Sequence, residues 1–352
     1  MKEINVGLIG FGVAGRVFHE PVLTSIPGLK LKKVFEKNPS NISILEQRIS
    51  ADRITGNIDD IFEDESIELI VLAVPNIAHF ELAKKALEKG KHVLVEKPFT
   101  VTSEEADKLI EISKKAGKIL TVHHNRRWDS DFRTVKSIID KKLLGDLVEY
   151  EAHYDRFRNY IKENAWREAD APGSGILYDL GSHLIDQAQV LFGTPKEIFA
   201  DLEIQRKGGK TIDNFEVILK YDSLKVTLKA GMLVREVGPH FNLLGTQGSF
   251  VKYGMDVQEE NLKAGIKPNN IENWGAEPEA LWGTVNTDVD GIHIVGKIES
   301  EHGDYRELYK NVYKAILGEE ELIVTPQQAR NTIKIIELAE ESNKKKSWIK
   351  FQ

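Results

Sequence analysis

The sequence predicts an α/β fold: a parallel sheet flanked by helices over residues 1–122, followed by an α+β region with a mostly antiparallel sheet over residues 123–352. Three observations predict it. Short β-branched runs alternate with helix-period stretches as far as residue 122, a pattern that builds βαβ units and therefore a parallel sheet. Beyond residue 123, strand-like runs follow one another through tight links such as Tyr221-Asp222-Ser223, which join antiparallel neighbours. The chain has 352 residues, more than the roughly 250–300 at which a single core stops growing, so two domains are expected.

In the first region the strands fall at residues 4–9, 29–35, 69–73, 92–96 and 119–122. Two of the helices between them are clearly bounded: 78–89, stopped by Gly90, and 103–116, with Ser103 as N-cap and Gly117 just past the end. The second region reads as a helix at 132–141, a long strand at 147–156, a helix from Tyr178, and strands at 197–206, 213–221, 225–232, 240–245 and 249–252. Residues 254–303 have weak periodicity and read as irregular, and helices at 304–317 and 326–342 complete the chain.

Composition removes whole classes of function. A net charge of −7 excludes a general nucleic-acid binder, which needs clustered Lys and Arg to neutralise phosphates. With no cysteine there is no disulfide, no thiolate metal site and no Cys nucleophile, and a reducing cytosol fits. Met1-Lys2-Glu3 enters an apolar strand at Ile4, unlike a signal peptide. The longest apolar run, 67–75, carries Glu68 and is about half of the roughly 20 residues a membrane helix needs. A cytoplasmic protein with neither membrane nor nucleic-acid partners is expected.

The glycines Gly10, Gly12 and Gly15 form a GxGxxG pattern directly after the first strand and before a helix. Gly10 permits the tight turn, Gly12 lets the backbone approach a pyrophosphate, and Gly15 lets helix and strand pack closely, with helix N–H groups aimed at the phosphates. The position after a strand makes this a dinucleotide-binding loop of the Rossmann type rather than a structural turn. The second strand ends in Glu36, where an acid meets the adenosine ribose hydroxyls of NAD; Lys37 and Asn38 follow, and a cation there can hold the 2′-phosphate of NADP. The cofactor is therefore read as NAD(P).

The strand at 92–96 runs into Glu96-Lys97-Pro98, which puts Lys97 at the carboxyl edge of a parallel sheet, where open α/β folds bind ligands. Pro98 restricts Lys97 to extended geometry. Asp179 and His183 lie four apart, on one face of a helix, behind the turn-rich lead-in Ala171-Pro172-Gly173-Ser174-Gly175. A neutral imidazole can take a hydroxyl proton, and a carboxylate beside it can orient the ring. Taken singly, a surface lysine and an ordinary Asp–His contact explain these residues better than a catalytic role does. No metal site is expected: the pair offers too few ligands, and His123 and His124, adjacent on an apparent strand, point to opposite faces.

The glycine loop, the stretch from Gly90 through Val95 to Glu96-Lys97-Pro98, and the Asp179–His183 helix, in this order and spacing, resemble the Gfo/Idh/MocA oxidoreductases over essentially the whole chain. Within that family the chain is most similar to bacterial NADP-dependent scyllo-inositol dehydrogenases, through His124-Asn125-Arg126-Arg127-Trp128-Asp129-Ser130-Asp131-Phe132, Trp166-Arg167-Glu168, the run from Asp179 to Gln187, and Ser249-Phe250-Val251-Lys252-Tyr253-Gly254. Glu36 departs from the pattern, since an NADP-preferring member is expected to carry a small or basic residue there.

The resemblance implies a Rossmann domain joined to a substrate-binding and oligomerisation domain whose exposed sheet face makes a homodimer or homotetramer contact. It implies Lys97, Asp179 and His183 as the catalytic group. Expected cofactor contacts are Gly10, Phe11, Gly12, Val13, Ala14 and Gly15 in the loop, Glu36 and Lys37 after the second strand, and Pro75, Asn76, His79, Glu96 and Lys97 beyond. Arg127, Tyr154, Trp166 and Tyr178 are expected to read the substrate's hydroxyls. The expected reaction interconverts a secondary alcohol and a ketone on a cyclic polyol or sugar, scyllo-inositol and its inosose first. The alternatives are another sugar or keto-sugar, or a regulator that senses the cofactor without turnover.

Overall fold

Strands β1 (Ile4–Ile9), β2 (Leu29–Phe35), β3 (Ile54–Thr55), β4 (Leu69–Leu72), β5 (His92–Val95) and β6 (Leu120–Val122) form one sheet in the order β3-β2-β1-β4-β5-β6. Every pairing in it is parallel. The computed structural model describes residues 2–163, 165–269 and 271–352. Five of these strands are those expected from the sequence; β3, two residues long, is too short to carry a period. Helices on both faces bury the centre of the sheet, and all four residues of β4 are inaccessible. The strand order reverses direction between β1 and β4, the switch point outside which such sheets bind their ligands.

Helix Ser103–Ala116 shows how local chemistry sets these bounds. Its N-cap is Thr102, one residue before the expected Ser103: the Thr102 hydroxyl accepts from the Glu105 N–H while the Glu105 carboxylate accepts from the Thr102 N–H. Ser103 is already helical and buried. Gly117 ends the helix in the left-handed conformation at φ 60°.

The unit built on this sheet comprises Met1–Asn125 together with Gln258–Trp274 and Asp304–Arg330. The later segments are fastened to it by long-range bonds: the Tyr313 hydroxyl donates to the Lys2 carbonyl, and the Thr121 hydroxyl to that of Val324.

The second unit comprises Arg126–Val257, Gly275–Gly303 and Asn331–Gln352. Its strands are β7 (Leu147–His153), β8 (Glu197–Glu203), β9 (Asn214–Lys220), β10 (Lys225–Gly231), β11 (Phe241–Gly245), β12 (Gly248–Lys252), β13 (Gly283–Val289), β14 (Ile292–Ile298) and β15 (Ile349–Lys350), in the order β14-β13-β12-β11-β7-β10-β9-β8-β15. Only β7 and β10 pair in parallel. Alternate residues of the central strands, among them Tyr150, Ala152, Val217, Leu219, Val226 and Leu228, are fully buried. The helix Ser182–Phe192 packs on β10 and is buried along most of its length.

Residues 254–303, expected to be irregular, contain the helix Gln258–Lys263 and the hairpin β13-β14. Asp290 and Gly291 turn the hairpin at φ 51° and 80°, the two positive values of a type I′ turn. The Asp-Gly pair was the available signal. Alternation is masked because nearly every residue of β14 is solvent-accessible on both faces. Among the described residues no helix is long and apolar enough to cross a membrane.

Candidate active site

The loop leaving β1 is shaped by what its glycines exclude. A Cβ on Gly10, at φ +98°, would lie 2.4 Å from the Ala73 carbonyl oxygen, and one on Gly15 would lie 2.2 Å from that of Gly10. Gly12 faces open space, with nothing within 4 Å of the position its Cβ would take. The backbone is thus closed on the protein side and bare on the side a pyrophosphate approaches, just ahead of the helical turns Ala14–His19, with Val13 exposed at the rim. These residues fit a bound dinucleotide.

Glu36 is already engaged. One carboxylate oxygen accepts from the Phe11 N–H (2.9 Å) and the Asn41 side-chain amide (3.0 Å); the other accepts from the N–H groups of Lys37 and Asn38 (2.8 Å each). A carboxylate offers about four acceptor sites, and the chain's own donors take all of them, so Glu36 moulds the glycine loop and the turn after β2. Lys37 stands exposed beside it, its ammonium 5.5 Å from the Phe35 ring centre.

Past β4, Pro75 is exposed and Asn76 buried. His79 is wholly buried among main-chain carbonyls, with Nε2 2.9 Å from Val74 O and Nδ1 2.9 Å from Pro98 O. Burial lowers its pKa against the pull of these carbonyls, and the ring links the loop after β4 to the segment after Lys97. Lys97 is half-buried at the carboxyl end of β5, and its peptide bond to Pro98 is cis.

Behind Lys97 the structure assembles a group that no local motif announces. The Glu96 carboxylate oxygen Oε1 lies 2.8 Å from His123 Nδ1 and 3.2 Å from His19 Nε2, and His19 Nδ1 lies 2.6 Å from the Tyr309 hydroxyl. All four side chains are buried. Burial pushes the Glu96 carboxyl up, but the hydrogen bonds from His123 and His19 outweigh it and hold the group well below the usual carboxylate range. Burial and the neighbouring His123 lower His19 to about 4. His123 and His124 lie just beyond β6, both buried, and His123 faces Glu96.

In the second unit the expected regular helix opens with a wider π-helical stretch, Leu177–Gly181, before the α-helix Ser182–Phe192. Asp179 sits in the wide turn and His183 in the first α-helical turn; such π segments recur at functional sites. Asp179 pairs with Arg167 (2.9 Å), whose guanidinium also lies 4.6 Å from the Trp166 ring centre. Arg167 therefore links two residues that the sequence reading treated separately. Tyr178 is buried.

His183, 5% exposed, meets the edge of the Tyr154 ring at a centroid distance of 6.3 Å. Tyr154 in turn contacts His240 (4.9 Å) and the Arg126 guanidinium (5.4 Å). Burial lowers His240 to about 3, so this ring is neutral and donates its Nδ1–H to the His153 carbonyl. Arg127 is committed elsewhere: it makes a buried bidentate pair with Asp186 at 2.8 and 2.7 Å, clamping the helix three residues beyond His183. Arg126, Arg167 and His240 were not among the expected site residues: the contacts that bring them to Tyr154 and Asp179 join residues 12 to 86 positions apart.

Residues 4–124 match the oxidoreductase family model described as the NAD-binding Rossmann fold, and residues 136–351 match that family's C-terminal alpha/beta domain, the pair that defines Gfo/Idh/MocA. The chain is 36% identical to the scyllo-inositol 2-dehydrogenase (NADP(+)) IolW of Bacillus subtilis, over all of this chain and 97% of that protein. It is 40% identical to the oxidoreductase YdgJ of Escherichia coli, over 99% of this chain and 98% of that one. The solved Bacillus subtilis oxidoreductase YvaA superimposes with a TM-score of 0.94 at 35% identity, covering 100% of this chain and 99% of the other.

Proposed function

From the premise that the chain belongs to the Gfo/Idh/MocA family and is an NAD(P)-binding oxidoreductase, we propose that it interconverts a secondary alcohol and a ketone on a cyclic polyol, with scyllo-inositol and its inosose as the substrate pair. One observation carries the reading: full-length similarity to a scyllo-inositol 2-dehydrogenase in a chain that has Lys97, Asp179 and His183.

A bound nicotinamide supplies the hydride chemistry. The protein's part is proton transfer and charge stabilisation. His183 accepts the hydroxyl proton, Asp179 orients His183 or a neighbouring hydroxyl, and Lys97 donates to the reacting oxygen as it becomes an alkoxide. Tyr154, Tyr178 and Trp166 read the remaining hydroxyls. Residues 1–122 serve the cofactor and 123–352 the substrate. Exposed apolar residues on β14, Ile292 (66%) and Val295 (63%), support assembly into a homo-oligomer through this sheet; sedimentation equilibrium finding only monomer at micromolar concentration rejects that assembly. The absence of cysteine supports work in a reducing cytosol.

The test is turnover of scyllo-inositol, myo-inositol and common sugars with NAD or NADP, read at the reduced-nicotinamide absorbance band. Lys97→Met and His183→Ala are each expected to cut turnover by about a hundredfold. Binding of the reduced cofactor with no turnover of any polyol or keto-polyol overturns the enzyme reading and favours a cofactor sensor.

A further inference from the structure

The buried group behind Lys97 has a definite proton order. An ionised carboxylate only accepts hydrogen bonds, so the protons toward Glu96 sit on His123 Nδ1 and His19 Nε2. A neutral His19 then presents a lone pair on Nδ1, which takes the Tyr309 hydroxyl hydrogen at 2.6 Å. Each of these contacts is a donor meeting an acceptor.

The ring centres of His19 and His123 are 4.2 Å apart. Two imidazoles sharing one tetrahedral ion at the usual zinc–nitrogen distance place their centres about 5 Å apart. The closer spacing, with both nitrogens directed at one carboxylate oxygen, is that of a hydrogen-bonded cluster rather than a His-Glu-His metal centre.

Four separated elements meet here. His19 ends the helical stretch Ala14–His19 that follows the glycine loop, Glu96 continues β5, His123 follows β6, and Tyr309 comes from the helix Arg306–Leu317. The register of Glu96 is fixed by its own main chain, whose N–H donates to the Leu72 carbonyl, and that of His123 by donation to the Val95 carbonyl. Lys97 is the next residue, in the bend that follows β5, so holding Glu96 also holds the main chain that carries Lys97.

We propose that His19, His123 and Tyr309 are positioning residues: acting through Glu96, they hold the strand end bearing Lys97 in a fixed place relative to the glycine-loop helix before any dinucleotide binds. This rests on the reading of Lys97 as the group that polarises the reacting oxygen.

The experiment uses the full-length chain with His123→Ala, His123→Asn, Tyr309→Phe and Lys97→Met. In the protein without cofactor, the rate of acetic anhydride labelling at Lys97, read by peptide mass spectrometry, should shift at least about threefold in His123→Ala. It should return toward the parent in His123→Asn, whose amide restores one N–H toward Glu96. In turnover, His123→Ala should lower kcat about tenfold with KM little changed, and in the Lys97→Met background it should cost less than about twofold more, because two changes acting through one group do not add. Tyr309→Phe removes one hydroxyl and repeats the test if His123→Ala does not fold. Unchanged labelling, full additivity with Lys97→Met, or a stoichiometric metal ion lost on His123→Ala each overturns the proposal. Parent-like turnover in Lys97→Met instead overturns the catalytic reading, so the two failures are distinct.

Discussion

Replacing Glu277 by Ala should be among the most destabilising single changes in the second unit. Glu277 and Lys252 form an ion pair at 2.8 Å with both side chains at 0% exposure. The Lys252 ammonium also donates to the Leu281 carbonyl (2.7 Å), and the Glu277 carboxylate accepts from the hydroxyls of Ser130 (2.8 Å) and Ser300 (2.6 Å). Without Glu277, a buried ammonium keeps one neutral acceptor and two buried hydroxyls lose theirs. Breaking a buried pair from one side costs about 3–5 kcal/mol, and each stranded hydroxyl adds about 1 kcal/mol or more, so a loss of about 5 kcal/mol or more is expected. Lys252→Met with Glu277→Leu removes both charges at similar volume and should cost only about 1–3 kcal/mol, less than either single change. Urea unfolding followed by tryptophan fluorescence reads both, and each single variant is compared with the double. A Glu277→Ala loss below about 1 kcal/mol, or a double variant as costly as the two singles added, refutes the reasoning.

Asp131 beside this pair is raised to about 6, mainly by burial, which outweighs the pull of Lys252. Its unfolded value is about 3.9, so the native state binds the extra proton between these values and stability falls as pH rises from about 4 to 6, by roughly 3 kcal/mol. Asp131→Asn should remove that slope from the urea midpoint measured across pH 4–7, and an unchanged slope counts against it. For the cofactor, Lys37→Ala should raise the KM for NADP about tenfold and leave that for NAD within twofold, the size of one charge-assisted hydrogen bond to a phosphate; equal effects on both cofactors would show that Lys37 does not meet the 2′-phosphate.

The sheet of the first unit was legible because its code is local. Runs such as Leu69–Leu72 are apolar on both faces, and Gly90 and Gly117 stop helices where chirality requires a glycine. The β13-β14 hairpin was missed because burial writes the period-two pattern, and β14 buries little; its Asp290-Gly291 turn was the remaining local signal. The site divides in the same way. Gly10, Gly12 and Gly15 act through backbone geometry within six residues, so spacing reveals them. The Glu96 cluster draws on His19, His123 and Tyr309, the two partners of its shortest bond standing 290 positions apart, and no window of sequence contains that relation. Glu36 shows a different relation: its position after β2 signals a ribose acceptor, and its carboxylate also gathers neighbouring donors that the position alone does not reveal.

The motifs carrying the family resemblance need not be those that choose the substrate. Ser130 and Asp131 in one stretch and Lys252 in another meet in the buried network around Glu277, and Arg127 locks onto Asp186. These residues stabilise the second unit. Selection among polyol stereoisomers needs side chains that can reach a ligand's hydroxyls without first breaking a buried ion pair. Arg127, at 5% side-chain exposure within its pair, is poorly suited to that role. Arg167, half exposed and in contact with both Asp179 and Trp166, is suited to it. Substrate preference should therefore follow changes at Arg167 and Trp166, whereas changes at Arg127 should appear first as lost stability.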